Sequence, residues 1–201
     1  MQAAGGTPLT AQDVNPPTRV RLLLGVAVFV IVADIVSKAI AVAHIREYSQ
    51  IHLIGNLLML TLTRNGGAAF NLGGTSMTIV FTAIAAGVVI YILRAARNLG
   101  SVGWAITLGL LLGGATGNLI DRVFRAPAPF RGDVVDWIEL PHWPVFNLAD
   151  SAIVCGGVLM VWIAARGHRI DGNVPVAGFR PPAPQDRRES RQEHPSGGGR
   201  G

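Results

Sequence analysis

Three carboxylates lie in stretches that otherwise have the composition of membrane spans. Asp121 lies in Gly-Asn-Leu-Ile-Asp-Arg, Asp136 in Val-Val-Asp-Trp-Ile, and Asp150 in Phe-Asn-Leu-Ala-Asp-Ser. Ionisable groups beside apolar spans are costly to keep there, so they indicate a functional site. Two carboxylates held together in a partly dry site cannot both ionise easily, and one keeps a proton. That pair is typical of an aspartic hydrolase, in which one acid activates water and the other protonates the peptide carbonyl.

The composition is that of a membrane protein. The 201 residues are 50% hydrophobic and only 14% charged, whereas soluble domains are about a quarter charged. The formal charge is +5, but five arginines lie in the C-terminal tail without interleaved aromatic residues, so we expect no nucleic-acid binding. The only cysteine, Cys155, cannot form an internal disulfide, and its apolar neighbours predict a buried residue.

Four apolar segments are each close to the ~20 residues that a helix needs to cross a bilayer. They run over residues 22–43, 76–93, 102–121 and 145–165. Residues 1–18 and 170–201 are rich in small residues and proline and are expected to be a disordered leader and tail around a membrane domain of residues 19–169. The first segment begins like a signal peptide, but Asp34 and Lys38 interrupt its apolar region, so we expect a retained helix.

The basic residues near the span ends predict that both termini are cytoplasmic. The relevant arginines are Arg19, Arg21, Arg94, Arg97, Arg166 and Arg169. In that orientation the polar residues of the spans converge near the outer leaflet. Residues 51–72 are apolar but are broken by glycine and asparagine, and the alternation of Leu60 to Thr63 favours a β-rich element resting on the bilayer, with an amphipathic helix as the alternative.

Other polar residues could support such a site. Asp34 and Lys38 are four residues apart and share a helix face, which predicts a buried pair. Asn118, Asp121 and Arg122 form a second cluster, in which Asp121 could be a catalytic acid or the partner of Arg122 in an ion pair. Sequence patterns alone leave that choice open.

Two further patterns concern the third and fourth spans. Asn147 precedes Asp150 by three residues, which predicts that both lie on one helical face. Small residues recur at every fourth position of the third span, and such a stripe lets another helix approach closely. These residues are Gly109, Gly113 and Gly117.

Other chemistries have little support. The histidines show no His-Glu-x-x-His spacing and there is no cysteine cluster, so we expect no metal and no cofactor. A small proton-coupled transporter is the alternative function, but it would need polar residues spread through the membrane depth. A structural membrane scaffold would explain the glycine stripe but not Asp136 and Asp150.

Taken in order, these motifs resemble the bacterial lipoprotein signal peptidase (signal peptidase II) family over residues 20–166. The resemblance rests on Asp34-x-x-Ser37-Lys38, on Arg64 to Phe70, on Gly113 to Arg122, on Val134-Val135-Asp136 and on Phe146 to Ser151. It implies an all-α membrane protein, a bundle of four transmembrane helices with a small extracytoplasmic β-cradle. It also implies that Asp136 and Asp150 are the catalytic pair and that Asp121 has a supporting role.

The resemblance implies further site residues and a reaction. Substrate-binding or supporting residues would be Asp34, Lys38, Asn65, Asn118, Arg122 and Asn147. The reaction would be cleavage just before the lipidated cysteine of diacylglyceryl-modified prolipoproteins in the cell membrane, without a cofactor, among membrane lipids and with inhibition by globomycin. Two departures from the family pattern are Gly66, where threonine is usual, and the short 14-residue separation of Asp136 and Asp150.

Overall fold

The computed structural model describes residues 19–66 and 75–172. Its elements are α1 (Val20–His44), β1 (Gln50–Ile54), β2 (Leu58–Asn65), α2 (Thr75–Ala95), a 3-10 turn (Ala96–Asn98), α3 (Val102–Phe124), β3 (Val134–Glu139) and α4 (Leu148–Ala165). Four helices are long and apolar enough to cross a membrane, as expected from the sequence. The expected leader, most of the expected tail and residues 67–74 of the outer loop lie outside the described residues.

Helix α3 is the centre of the bundle. Over its apolar window 56% of residues are buried, against 17–22% for the other three helices. A Cβ on Gly109 would lie 2.9 Å from the carbonyl oxygen of Leu23, and one on Gly113 would lie 2.9 Å from that of Ala27. The glycine stripe therefore brings the backbones of α1 and α3 together, as the sequence pattern indicated.

The helices of the bundle expose apolar side chains on the surfaces that face away from one another. Phe29 is 73% exposed on α1 and Val161 is 69% exposed on α4, as expected of surfaces that face lipid. Cys155 is also exposed, so the prediction that it is buried is wrong. The packed side of α4 carries Ala152 and Gly156, and a residue next to Gly156 points about 100° away from that side.

A three-stranded antiparallel sheet, in the order β1-β2-β3, lies at one end of the bundle. Strands in the described part of residues 51–72 confirm the β-rich element, and the amphipathic-helix alternative is wrong. Strand β3 was not predicted, because Val134 to Glu139 lies between the third and fourth apolar segments, where no element was assigned. The alternation of Val135, Asp136 and Trp137 becomes a strand only when it pairs with β2. Buried Val135 joins the sheet to α1 by packing on Ala41.

Candidate active site

Asp136 is held by the sheet and is only 2% exposed. It lies opposite Thr63 of β2, so Asn65 at the end of β2 donates from Nδ2 to Asp136 Oδ2 at 3.0 Å. Asn147 donates from Nδ2 to Asp136 Oδ1 at 2.7 Å. Burial, and then the negative charge of Asp150, raises the pKa of Asp136 to about 6, although the two amides act in the opposite direction.

Asp150 lies in the first turn of α4. Asn147 Oδ1 accepts from the Asp150 N–H at 2.9 Å, and Asp150 Oδ2 accepts from the Asn147 N–H at 3.2 Å. This reciprocal capping box makes Asn147 the extended N-cap residue, so the prediction that it lies on a helical face is wrong. Asp150 Oδ1 accepts from Asn118 Nδ2 at 2.7 Å. The helix N-terminus favours a negative charge at this position.

Asn147 links the two acids directly. It is fully buried, its backbone N–H binds one carboxylate, and its side chain binds the other. The chain returns to Asn147 because Ile138 and Phe146 pair, with N–H···O distances of 2.8 and 3.0 Å. This tight pairing lets a 14-residue separation place Asp136 at the side chain and Asp150 at the backbone N–H of the same asparagine.

A buried ammonium lies beneath the two acids. The Lys38 side chain is 1% exposed, and its Nζ lies 2.7 Å from Asp34 Oδ2 and 2.9 Å from Asp121 Oδ2. Lys38 also donates to Asn118 Oδ1 at 3.1 Å. Asp34 Oδ1 accepts from the backbone N–H of Ala149 at 3.0 Å, which ties α1 to the start of α4. The predicted buried pair of Asp34 and Lys38 is confirmed.

Asp121 is buried within this network. It is 3% exposed, its Oδ2 accepts from the backbone N–H of Val135 at 3.2 Å, and its Oδ1 is paired with Arg125. Arg125 was not among the predicted site residues, although its spacing four residues after Asp121 was an available signal. The neighbouring Arg122 lies over the ring of Phe81 instead, 5.4 Å from its centroid.

An apolar groove of about 270 Å³ opens between α2, α3 and α4 beside this network. Asn118 and Arg122 form its polar end, and Arg122 Nη1 is buried with no hydrogen-bond partner among residues 19–66 and 75–172. The apolar lining consists of Phe81, Ile84, Ala85, Val88, Leu111, Ala115 and Ile153. The groove can therefore take an apolar chain, and a hydrogen-bond acceptor on that chain would pair with the guanidinium of Arg122.

Gly66, where the resemblance implies threonine, lies beside the side chain of Asp133. A Cβ there would lie 2.7 Å from Asp133 Oδ1. Its carbonyl oxygen accepts from the Thr78 hydroxyl at 2.5 Å. The Thr78 hydroxyl thus links the end of β2 to α2. Asn65, the preceding residue, is directed at Asp136.

The structure brings together the residues that the sequence singled out. Eight of them are joined by hydrogen bonds or ion pairs, and Arg122 lies beside them at the groove. The eight are Asp34, Lys38, Asn65, Asn118, Asp121, Asp136, Asn147 and Asp150. Within the described part of the chain, no group of three or more His, Cys, Asp or Glu side chains could hold a metal ion. The arrangement offers acid and base chemistry from two carboxylates.

Comparisons with known proteins agree with this architecture. A sequence profile of signal peptidase II matches residues 26–166. Lipoprotein signal peptidase of Streptomyces coelicolor is 53% identical over 78% of this chain and 76% of its own length. The Mycobacterium avium enzyme of the same name is 46% identical over 89% of this chain and 95% of its own length.

Solved structures agree with the fold. Two structures described as bacterial membrane enzymes superpose with TM-scores of 0.64 and 0.65, at 29% and 28% sequence identity. They cover 73% and 75% of this chain and 89% and 97% of their own. The match of the profile, the relatives and the four-helix fold together show that the chain belongs to the signal peptidase II family.

Proposed function

We propose that this protein is an aspartic endopeptidase that removes the signal peptide from diacylglyceryl-modified prolipoproteins, cleaving just before the lipidated cysteine. The observation that carries the proposal is the pair Asp136 and Asp150, which one buried asparagine bridges, with Asp150 bonded to Asn118 at the polar end of the groove. Support for the substrate class comes from the relatives, which are named lipoprotein signal peptidases.

The two acids differ in their surroundings, and this difference suggests their roles. Asp136 is buried, and its raised pKa favours the protonated form. Asp150 accepts two N–H bonds, from Asn118 and from the backbone of Asn147, in the first turn of α4. Asp150 takes a proton from water, the resulting hydroxide oxygen bonds to the carbonyl carbon, and Asp136 protonates the carbonyl oxygen. The C–N bond then breaks as the amine nitrogen receives the proton held by Asp150, and one hydroxyl of the tetrahedral intermediate returns its proton to Asp136.

The groove suggests how the substrate is oriented. Its apolar walls fit the lipid-bearing or signal-peptide part of a membrane-embedded precursor, while Asn118 and Arg122 face the peptide backbone near the acids. A guanidinium with an unused N–H suits a peptide carbonyl as partner. We expect the diacylglyceryl group to anchor the precursor in the leaflet beside this end of the bundle.

Charge distribution supports the orientation in the membrane. The bundle end away from the acids carries Arg19, Arg21, Arg94, Arg97, Arg166 and Arg169 and the single described acid Asp171. The end with the acids carries both signs of charge in similar number. Arginine-rich ends lie in the cytoplasm, so we propose cytoplasmic termini and a site near the outer leaflet.

The transporter alternative finds no support in the arrangement of the described residues. The polar network occupies one end of the bundle, and an apolar cluster that includes Leu23, Leu108 and Ile163 fills the other end. A proton relay would need ionisable groups through that depth.

The test is cleavage of a purified diacylglyceryl-modified prolipoprotein in detergent or lipid. We expect the wild type to cut before the lipidated cysteine, and Asp136→Asn and Asp150→Asn to be folded but inactive. Glu139→Gln, the same acid-to-amide change on β3, is the matched control and should stay active. A wild type that does not cut this substrate would refute the function. An inactive Asp121→Asn beside an active Asp136→Asn or Asp150→Asn would refute the catalytic pair.

A further inference from the structure

Lys38 is the only lysine of the chain, because the other sixteen basic side chains are arginines. Its ammonium is buried and has three acceptors within hydrogen-bond distance. They are Asp34 Oδ2 at 2.7 Å, Asp121 Oδ2 at 2.9 Å and Asn118 Oδ1 at 3.1 Å. An ammonium carries three N–H donors and no acceptor, so this environment uses its full donor capacity. A planar guanidinium would not fit the same three directions.

The lysine determines which way the Asn118 amide faces. Because Lys38 can only donate, it requires the oxygen of Asn118 on its side, and Asn147 Nδ2 lies 3.2 Å from that same oxygen. The Asn118 NH₂ group then points at Asp150 Oδ1, 2.7 Å away. If the amide turned over, its NH₂ group would face the ammonium and its oxygen would face the carboxylate. Both of those contacts are repulsive.

We infer that Lys38 is a positioning residue that holds Asn118 in the orientation in which it donates to the carboxylate of Asp150. The inference rests on the proposed function, in which Asp150 activates water. Lys38 and Arg125 balance the charges of Asp34 and Asp121, so this set carries no net charge. Beyond that balance, Lys38 sets the direction of one hydrogen bond at Asp150.

A double-mutant cycle on the cleavage reaction tests this role. Lys38→Gln leaves two N–H donors for three acceptors, and we expect kcat to fall by roughly 10- to 100-fold with KM changed by less than about twofold. Asn118→Ala should lower kcat by a similar factor, and the double variant should be no slower than Asn118→Ala. Losses that multiply in the double variant, or a change in KM alone, would overturn the inference. Arg97→Gln, at the opposite end of the bundle, is the control.

Asn118→Asp provides a second test that keeps the lysine in place. The new carboxylate still accepts from Lys38 but has no donor for Asp150. We expect a folded protein with somewhat lower thermal stability, because the new carboxylate faces that of Asp150, and a loss of kcat of about tenfold or more. An active Asn118→Asp variant would overturn the inference even if Lys38→Gln did not fold. If the wild type cuts no lipidated precursor, the proposed function is overturned as well. If the wild type cuts normally but the losses in kcat multiply in the double variant, only the positioning role is overturned.

Discussion

Replacing Asn147 separates its two roles, because it both caps α4 and binds Asp136. Asn147→Ser keeps a side-chain oxygen that can cap the helix, but serine is too short to reach Asp136, which lies 2.7 Å from the present amide. Asn147→Ala removes both contacts. The lost cap should cost about 1 kcal/mol of the free energy of unfolding, and the lost bond to a carboxylate corresponds to about 1.5–3 kcal/mol.

We therefore expect both variants to lose roughly 10- to 100-fold in kcat, since 1.36 kcal/mol corresponds to a factor of about ten in rate. Only Asn147→Ala should also lose the stability due to the cap. The assay is initial-rate cleavage of a lipidated precursor, paired with thermal unfolding in the same detergent. Wild-type activity of Asn147→Ser would refute the argument that one amide must hold Asp136 beside Asp150.

Three further predictions concern proton occupancy, packing and substrate contact. Since the raised pKa of Asp136 is about 6, the proton of the pair is lost as pH rises through that value. We therefore expect kcat/KM to decline as pH rises through about 6, and a decline only above pH 8 would contradict this. Gly117→Ala places a Cβ 2.7 Å from Asp34 Oδ2 and should cost about 1–3 kcal/mol of unfolding free energy, whereas Gly87→Ala, with open space around it, should not. Arg122→Gln should raise KM by about tenfold with little change in kcat, and an unchanged KM would exclude contact with substrate.

Much of the site was predictable from the sequence, because charged residues in apolar helices have few permissible locations. The i, i+4 spacing of Asp34 and Lys38 was sufficient to predict a buried pair, and both side chains are indeed buried. The roles of Asp121 and Asp150 were not separable in this way. Both lie near the ends of apolar spans, and only their partners in the structure distinguish them. Asp121 is paired with Lys38 and Arg125, whereas Asp150 accepts from Asn118 beside the groove.

Local signals failed where the structure depends on pairing over long distances. Strand β3 exists because β2 is next to it, so the residues around Asp136 were not predicted to form a strand. Asn147 was placed on a helical face because it is three residues from Asp150, but that spacing also fits an N-cap and the third residue of its helix. Distinguishing these two cases requires the backbone dihedral angles.

By itself, the sequence determined four membrane spans, a glycine stripe and the set of polar residues that would meet at one end of the bundle. These follow from hydropathy and helical periodicity, which act over neighbouring residues. Only the tertiary structure decided the direction of each hydrogen bond, from Lys38 through Asn118 to Asp150 and from Asn147 to Asp136. The reason is physical: the sequence does not specify which way a side-chain amide faces. The donors and acceptors that select one orientation come from different helices and a strand.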